Sequence, residues 1–137
     1  MAAENTGSVV RGILGIQEPL EVNAFKYTPA GIVICDEDGT IYRTNYAAQE
    51  MLDSPYPLDG ESVHQFIENP EHPKMLRDFV RHPNRAKEKL ADGRAVVGKT
   101  LNGDPLTVRI YLGHTMWEQT RLAIAVLCPC CECEDET

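Results

Sequence analysis

The clearest pattern of hydrophobic and polar positions lies in the last third of the chain, where the two alternate. Residues 94–101 and 105–115 predict two β-strands, and Asn102-Gly103 between them is typical of a hairpin turn. A third strand is predicted over residues 120–128. Alternation with a period of two indicates a sheet that buries one face, and the apolar positions assigned to that face are Leu106, Val108, Ile110 and Leu112, then Leu122, Ile124 and Val126.

A second hairpin is predicted nearer to the start of the chain. The run from Ile32 to Cys35 is rich in β-branched residues and predicts a buried strand. Asp38-Gly39 can adopt the positive φ of a tight turn, and residues 40–44 return as the partner strand. Asn45 is a favourable N-cap for a helix over residues 46–52.

Short amphipathic helices are predicted between the two hairpins. One covers residues 61–68, and another begins near Pro73, a residue that suits a first helical turn. The second helix carries an apolar stripe, formed by Met75, Leu76, Phe79 and Val80, before His82-Pro83 interrupts it; residues 84–90 restart it. Strands that can be joined by hairpins, with helices between them, predict an α+β fold with an antiparallel sheet and the helices on one face.

The N-terminal segment, residues 1–22, is predicted to be partly disordered with a marginal amphipathic helix that Pro19 ends. Its apolar positions are Val9, Val10, Ile13, Leu14 and Ile16. They either cover the open face of their own sheet or pack against the same segment of a second copy, because an apolar patch seldom stays uncovered. We expect a homodimer built around a two-fold axis.

Length and charge limit the classes of partner. The 137 residues, 42% of them hydrophobic, fit one domain. A net charge of −8 argues against a nucleic-acid groove and against anionic membrane surfaces, both of which need clustered cations. The sequence has no apolar run of the ~18 residues that a membrane span needs, and its start lacks a signal-peptide pattern. A cytoplasmic location with reduced thiols is expected.

The order and spacing of these features resemble the PAS domain family. The matching residues are Phe25, Pro29 and Gly31, the hairpin with Asp36, Asp38, Gly39 and Ile41, the helix start at Asn45, Ala47 and Ala48, and Leu58, Gly60 and Val63 before the next helix. The resemblance spans residues 23–128 and implies a five-stranded antiparallel sheet that, with its helices, encloses a cavity or an apolar core. It also implies a sensor or interaction module of a larger signalling protein, which binds a ligand, dimerises or docks on a neighbouring domain.

The family likeness suggests where a ligand would lie and which cofactors to consider. The candidate cavity or core residues are Phe66, Leu76, Phe79, Val80, Val108, Ile110, Ile124 and Val126. A small organic ligand, a flavin or a haem remains open, but no cysteine lies between Asp36 and Leu127, so a thiol-bonding flavin is disfavoured. A haem would need an imidazole ligand, and the candidates for it are His64 and His82. Against this, His72 and His82 each precede a proline at a break between helices, where side chains usually face water.

The C-terminal segment, residues 129–137, is an acidic tail that follows Cys128 and contains Cys130, Cys131 and Cys133. Thiolates this dense can bind zinc or copper(I), or respond to oxidants. Against this, the neighbouring acids disfavour thiolates, Cys128 can simply end the last strand, and the remainder can be a linker. A metal or redox protein and a ligand-free dimerisation domain are therefore the alternatives to a sensor. No catalytic arrangement is found in the sequence, so no enzymatic activity is expected.

Overall fold

The computed structural model describes residues 19–86 and 93–129. In chain order the elements are α1 (Leu20–Tyr27), β1 (Gly31–Asp36), β2 (Ile41–Thr44), α2 (Tyr46–Met51), a 3₁₀ helix (Val63–Phe66), α3 (His72–Arg81), α4 (Pro83–Ala86), β3 (Arg94–Lys99), β4 (Pro105–Trp117) and β5 (Thr120–Pro129). All five strands lie where the sequence predicts them. Helix α1, which follows Pro19, was not predicted.

The five strands form one antiparallel sheet in the order β2-β1-β5-β4-β3. Each edge of the sheet is a hairpin, β1–β2 on one side and β3–β4 on the other. The last strand, β5, lies between them and pairs with both β1 and β4. The predicted α+β fold with a five-stranded antiparallel sheet and short helices is confirmed.

The two predicted turns adopt the backbone conformation that their glycines allow. Gly39 has φ +86° and Gly103 has φ +92°, a region that other residues enter only with strain. In the first turn the Asp36 carboxylate accepts hydrogen bonds from the amides of Asp38 and Thr40, each at 3.0 Å. This local bonding sets the hairpin between β1 and β2.

Asn45 ties the helical layer to the sheet. It is 1% exposed, and its Oδ1 accepts hydrogen bonds from the amide of Ala48 at 3.0 Å and from the amide of Ile32 at 2.8 Å. Its amide group donates to the carbonyl of Ala30 at 3.0 Å. The residue predicted as a helix cap therefore also bonds the chain on both sides of the first residue of β1.

The core lies between one face of the sheet, here called the inner face, and the helices. Buried apolar residues come from both layers: Val33, Cys35, Ile41, Ala48, Leu52, Leu58, Phe66, Leu76, Phe79, Val80, Val108, Ala123 and Leu127. Two ion pairs join α3 to the β1–β2 turn, Arg81 to Glu37 at 2.7 Å and Arg77 to Asp38 at 3.1 Å. No helix in the described ranges is long and apolar enough to cross a membrane.

The prediction for β5 must be corrected. Strand pairing places Ala123 opposite Cys35 and Ala125 opposite Val33, so the inner face of β5 is formed by Ala123, Ala125 and Leu127. Ile124 and Val126 lie on the opposite, outer face, with Ile124 beside Ile34. The physical reason is that β5 is apolar on both faces, so its own sequence does not decide which face points inward, and its pairing with neighbouring strands does.

Candidate functional site

A cavity of about 90 Å³ lies between the inner face of the sheet and the helices and is partly open to the surface. Its walls are almost entirely apolar: Val33, Cys35, Ile41, Leu52, Val63, Phe66, Ile67, His72, Leu76, Val96, Gly98, Lys99, Leu106, Val108, Ile110, Leu112, Ala123, Ala125 and Leu127. Every strand and both helical segments that cross the sheet, the 3₁₀ helix and α3, contribute to this lining.

Small residues leave room for the cavity on the sheet side. Ala123 and Ala125 of the central strand present only methyl groups to the interior, between the larger side chains of β1 and β4. On β3, a Cβ added to Gly98 would lie 2.5 Å from the carbonyl oxygen of Phe66. Gly98 therefore allows the 3₁₀ helix to close directly over β3 at one end of the cavity.

Two histidines contact each other where the 3₁₀ helix meets α3. The Nδ1 atoms of His64 and His72 are 2.9 Å apart, and their rings are in an edge-to-face arrangement. His64 packs against the turn at Gly39, where an added Cβ would lie 2.5 Å from its Nε2. Burial, together with the proximity of His64, lowers the pKa of His72 to about 4. His72 is therefore neutral at physiological pH.

The surroundings also determine the charge that the other polar groups of the cavity wall present to the interior. Burial, with a smaller contribution from the charge of Asp36, raises the pKa of the Cys35 thiol to about 12, so Cys35 remains a thiol. Lys99 lines the cavity, while its ammonium group bonds to the Glu68 carboxylate at 3.1 Å. Neither a thiolate nor a free cation is thus presented to the interior by these two residues.

The size of the cavity limits what it accepts as it stands. A volume of about 90 Å³ is below the ~150 Å³ of an engineered protein cavity that binds benzene. Haem and flavin rings are far larger than benzene, so either would require α3 and the 3₁₀ helix to move away from the sheet.

The structure brings together some of the predicted site residues and separates others. Phe66, Leu76, Val108 and Ile110 line the cavity. Phe79 and Val80 are buried in the core but are not part of the lining. Ile124 and Val126 do not reach it, because they point to the outer face.

The histidine prediction also needs correction. His82 is exposed beyond the end of α3, and His64 contacts His72 rather than forming part of the wall. The histidine on the wall is His72, which the proline after it had suggested would face water. That proline occupies the first turn of α3, as predicted, and this places His72 at the start of a helix whose inner side packs on the core.

The cysteine predictions lie mostly beyond the described residues, since Cys130, Cys131 and Cys133 fall in the range 130–137. Cys128 is a half-buried free thiol on the outer face of β5, opposite Arg109. Among the described residues, no group of three or more side chains is placed to hold a metal ion. The metal-binding alternative therefore has no described site.

The outer face of the sheet is the second feature of interest. Ile32, Ile34, Ile124 and Val126 lie side by side on it and are only half-buried. Tyr111 pairs with Val126 from the neighbouring strand and is 46% exposed. At one edge, Val22 and Phe25 of α1 border a groove with Ile34, so α1 covers part of this face.

Comparison with known proteins matches this architecture to one family. A family model described as PAS domain matches residues 29–136. The PAS domain of a protein from Desulfitobacterium hafniense is similar, with a TM-score of 0.63, 13% identity, and coverage of 77% of this chain and 96% of that one. No curated protein sequence matches the chain.

Two further solved structures are similar. The PAS domain of nitrogen regulation protein NR(II) from Vibrio parahaemolyticus gives a TM-score of 0.59 at 13% identity and covers 80% of this chain and 97% of that one. The photoactive yellow protein domain of the sensor histidine kinase Ppr from Rhodospirillum centenum gives 0.54 at 16% identity, with coverage of 75% and 90%. At such identities these likenesses concern the fold.

Proposed function

The chain belongs to the PAS domain family, whose model matches residues 29–136 of its 137 residues, and we propose that it senses a compact small molecule held in its internal cavity. The observation that carries this proposal is the apolar cavity of about 90 Å³ between sheet and helices. Concave, mostly apolar pockets with few polar groups are the usual form of small-molecule sites. On this proposal the domain is a non-enzymatic cytoplasmic module of a larger signalling protein.

The central strand offers a route from the cavity to the rest of the molecule. Ala123, Ala125 and Leu127 of β5 line the cavity, while the alternating residues Ile124 and Val126 reach the outer face. A ligand that prefers one packing of the helices against the sheet shifts the population towards it, by as much as its affinities for the two packings differ. A change in β5 is then transmitted both to the outer face and to the C-terminal segment.

The cavity is tested with xenon, a probe that binds in dry apolar cavities. We expect xenon to shift the amide resonances of residues around Ala123, Ala125 and Leu76 in NMR spectra. Ala125→Leu fills the space and should abolish these shifts. The matched control is Ala95→Leu, the same change at an exposed position of β3, which should leave them intact. Absence of any xenon response in the unaltered protein would contradict the proposal.

A second function, homodimerisation, is favoured by the outer face. Its half-buried apolar residues continue from β1 to β5, and α1 already borders them at one edge. The apolar residues at positions 9–16 precede α1 in the chain and lie outside the described residues. We propose that this segment of one copy packs on the outer face of a second copy, which in turn does the same, as a two-fold interface requires.

Light scattering tests the dimer. The full chain should be dimeric, and both removal of residues 1–18 and Ile124→Glu should give monomers, because a carboxylate would be buried without a partner in the interface. Tyr56→Glu changes an exposed side chain, 51% accessible, in the loop after α2 and should leave the dimer intact. A monomeric full chain, or dimers of unchanged affinity in both variants, would contradict this arrangement.

A further inference from the structure

The two edges of the sheet differ in what lies against them. At the β2 edge, the Ile41 amide donates to the Glu61 carbonyl at 2.8 Å, and the Ile41 carbonyl accepts from the Gly60 amide at 2.7 Å. Thr40 also forms a bridge with Ser62, so the loop before the 3₁₀ helix covers this edge. At the other edge, β3 pairs with β4 on one side, and no other strand of the described ranges lies beside it. The backbone groups on the free side of β3 are therefore open to pairing.

The direction of each backbone group follows from strand alternation. In an antiparallel sheet the N–H and C=O of one residue point to one neighbouring strand, and those of the next residue point to the other. On β1, the Ile32 carbonyl accepts from the Asn45 amide at 3.1 Å, and the Asp36 amide donates to the Thr40 carbonyl at 3.0 Å. Even-numbered residues of β1 thus bond on the β2 side, and odd-numbered residues bond on the β5 side.

The registers carry this alternation across the sheet to β3. Odd-numbered residues of β1 and β5 bond to each other, so even-numbered residues of β5 bond to odd-numbered residues of β4. Even-numbered residues of β4 then bond to even-numbered residues of β3. Pro105 agrees with this assignment, because it lies opposite Lys99 and has no amide proton to donate to it. The groups that point away from the sheet are therefore those of Ala95, Val97 and Lys99.

The outward groups of these three residues form an unpaired row. Within residues 19–86 and 93–129, no hydrogen bond reaches their N–H and C=O groups. Val97 lies at the centre of the row and is 65% exposed, and Ala95 is exposed as well. An unpaired and exposed strand edge is the usual place for another strand to add to a sheet.

We propose that this edge binds the same edge of a second copy, so that two β3 strands pair antiparallel about a two-fold axis beside Val97. In this register Val97 lies opposite Val97 of the second copy, and Ala95 lies opposite its Lys99. All outward groups of both copies then find a partner, whereas a shift by two residues leaves one residue of each copy unpaired. No two like charges lie directly opposite, and the two exposed valines form an apolar cross-strand pair. The edge is thus complementary to itself, as a two-fold interface requires.

The size of this contact determines when it forms. One strand pair buries less than the ~800 Å² per partner that a stable complex usually needs. Pairing through β3 is therefore weak, and it joins copies or outer-face dimers only at high protein concentration. It goes beyond the proposed functions, because it uses a surface that neither the cavity nor the outer-face dimer needs.

Amide hydrogen exchange, followed by NMR in dilute and in concentrated samples of the full chain, tests the pairing. The amides of Val96 and Gly98 bond to β4 and should exchange slowly in both samples. The amides of Ala95, Val97 and Lys99 should exchange fast when dilute, and about twofold more slowly once half of the molecules are paired. Fast exchange of these three amides in both samples would overturn the inference. Slow exchange in both would also overturn it, because the edge would then be covered by its own chain.

A charge swap tests the register. Val97→Lys and Val97→Glu each place two like charges opposite each other at the axis, and each should weaken the pairing of the variant with itself by about three- to tenfold. In a mixture of the two variants the charges are opposite, so pairing should return to the level of the unaltered protein. The matched control is a mixture of Tyr56→Lys and Tyr56→Glu, which makes the same changes at an exposed loop position and should pair like the unaltered protein.

The outcome of the charge swap is independent of the proposed functions. Because the Val97 side chain is exposed, both variants should fold and still bind xenon. A mixture of the Val97 variants that pairs no better than either variant alone would overturn the inference, while xenon binding and the outer-face dimer remained supported.

Discussion

The inner and outer faces of the sheet are both apolar, yet they are built differently. The inner face combines small residues of β5, Ala123 and Ala125, with larger neighbours and is covered by helices. The outer face has larger residues on the same strand, Ile124 and Val126, and in the described part of the chain α1 lies along its edge. The comparison teaches that hydrophobicity alone does not identify the core. Coverage by a second layer does.

The largest expected effect is the loss of stability when a buried aromatic residue, rather than an exposed one, is replaced by alanine. Phe79 is fully buried beneath the inner face, and its ring lies 6.4 Å from that of His114. Phe79→Ala should lower the free energy of unfolding by about 3–5 kcal/mol, because it removes contacts and leaves a cavity. Tyr111→Ala, on the outer face, should cost under about 1 kcal/mol in a monomeric variant. Urea denaturation measures both, and equal losses would contradict the assignment of the faces.

A smaller loss of stability is expected on substitution of Asn45, which bonds the start of the helical layer to the sheet. Asn45→Ala removes the side-chain oxygen that accepts two backbone N–H hydrogen bonds and the side-chain NH₂ group that donates one. All three bonds lie at the buried start of the helical layer. The loss should be about 2–4 kcal/mol, since buried amides are left unpaired. Asn45→Asp keeps the two accepted bonds and should cost less when studied by the same denaturation experiment. An equal or greater loss in Asn45→Asp would count against these hydrogen bonds as the cause.

Titration of a buried histidine gives a third comparison between inside and outside. His72 has a pKa of about 4 in the folded protein, against 6.5 ordinarily, so the unfolded chain binds more protons between these values. Stability must therefore fall as the pH drops from 6.5 to 4, by roughly 1–3 kcal/mol from this residue. His72→Gln should remove that part of the pH dependence. His82→Gln, at an exposed position, should retain it; equal pH profiles of the two variants would contradict the burial of His72.

The smallest effect concerns the ion pairs at the surface. A hydrogen bond from Arg81 is the main cause that lowers the pKa of Glu37, with weaker contributions from the charges of Arg81, Arg77 and Arg121. Arg81→Gln should raise that pKa towards its ordinary range, as followed by NMR titration. Arg43→Gln, which breaks a separate pair with Asp59, should leave it unchanged. The free energy of unfolding should hardly change, as is usual for exposed pairs.

Local chemistry explains why so much of the fold is readable in the sequence. The turns at Gly39 and Gly103, the cap at Asn45 and the stripe on α3 each depend on neighbours within a few positions along the chain. The structure places all of them where the patterns predict. What the sequence suggests for residues 9–16 and for Cys130, Cys131 and Cys133 remains a prediction, because these residues lie outside the described ranges.

The amino-acid sequence by itself determined the strands, their hairpins and the family, because hydrophobic period and turn chemistry act over short distances. Tertiary structure decided which face of β5 points inward, because that strand is apolar on both sides and only its pairing with β1 and β4 distinguishes them. It also decided that His72, rather than His64 or His82, lines the cavity. That choice depends on how α3 packs against a sheet whose strands are distant in the chain, which no local pattern records.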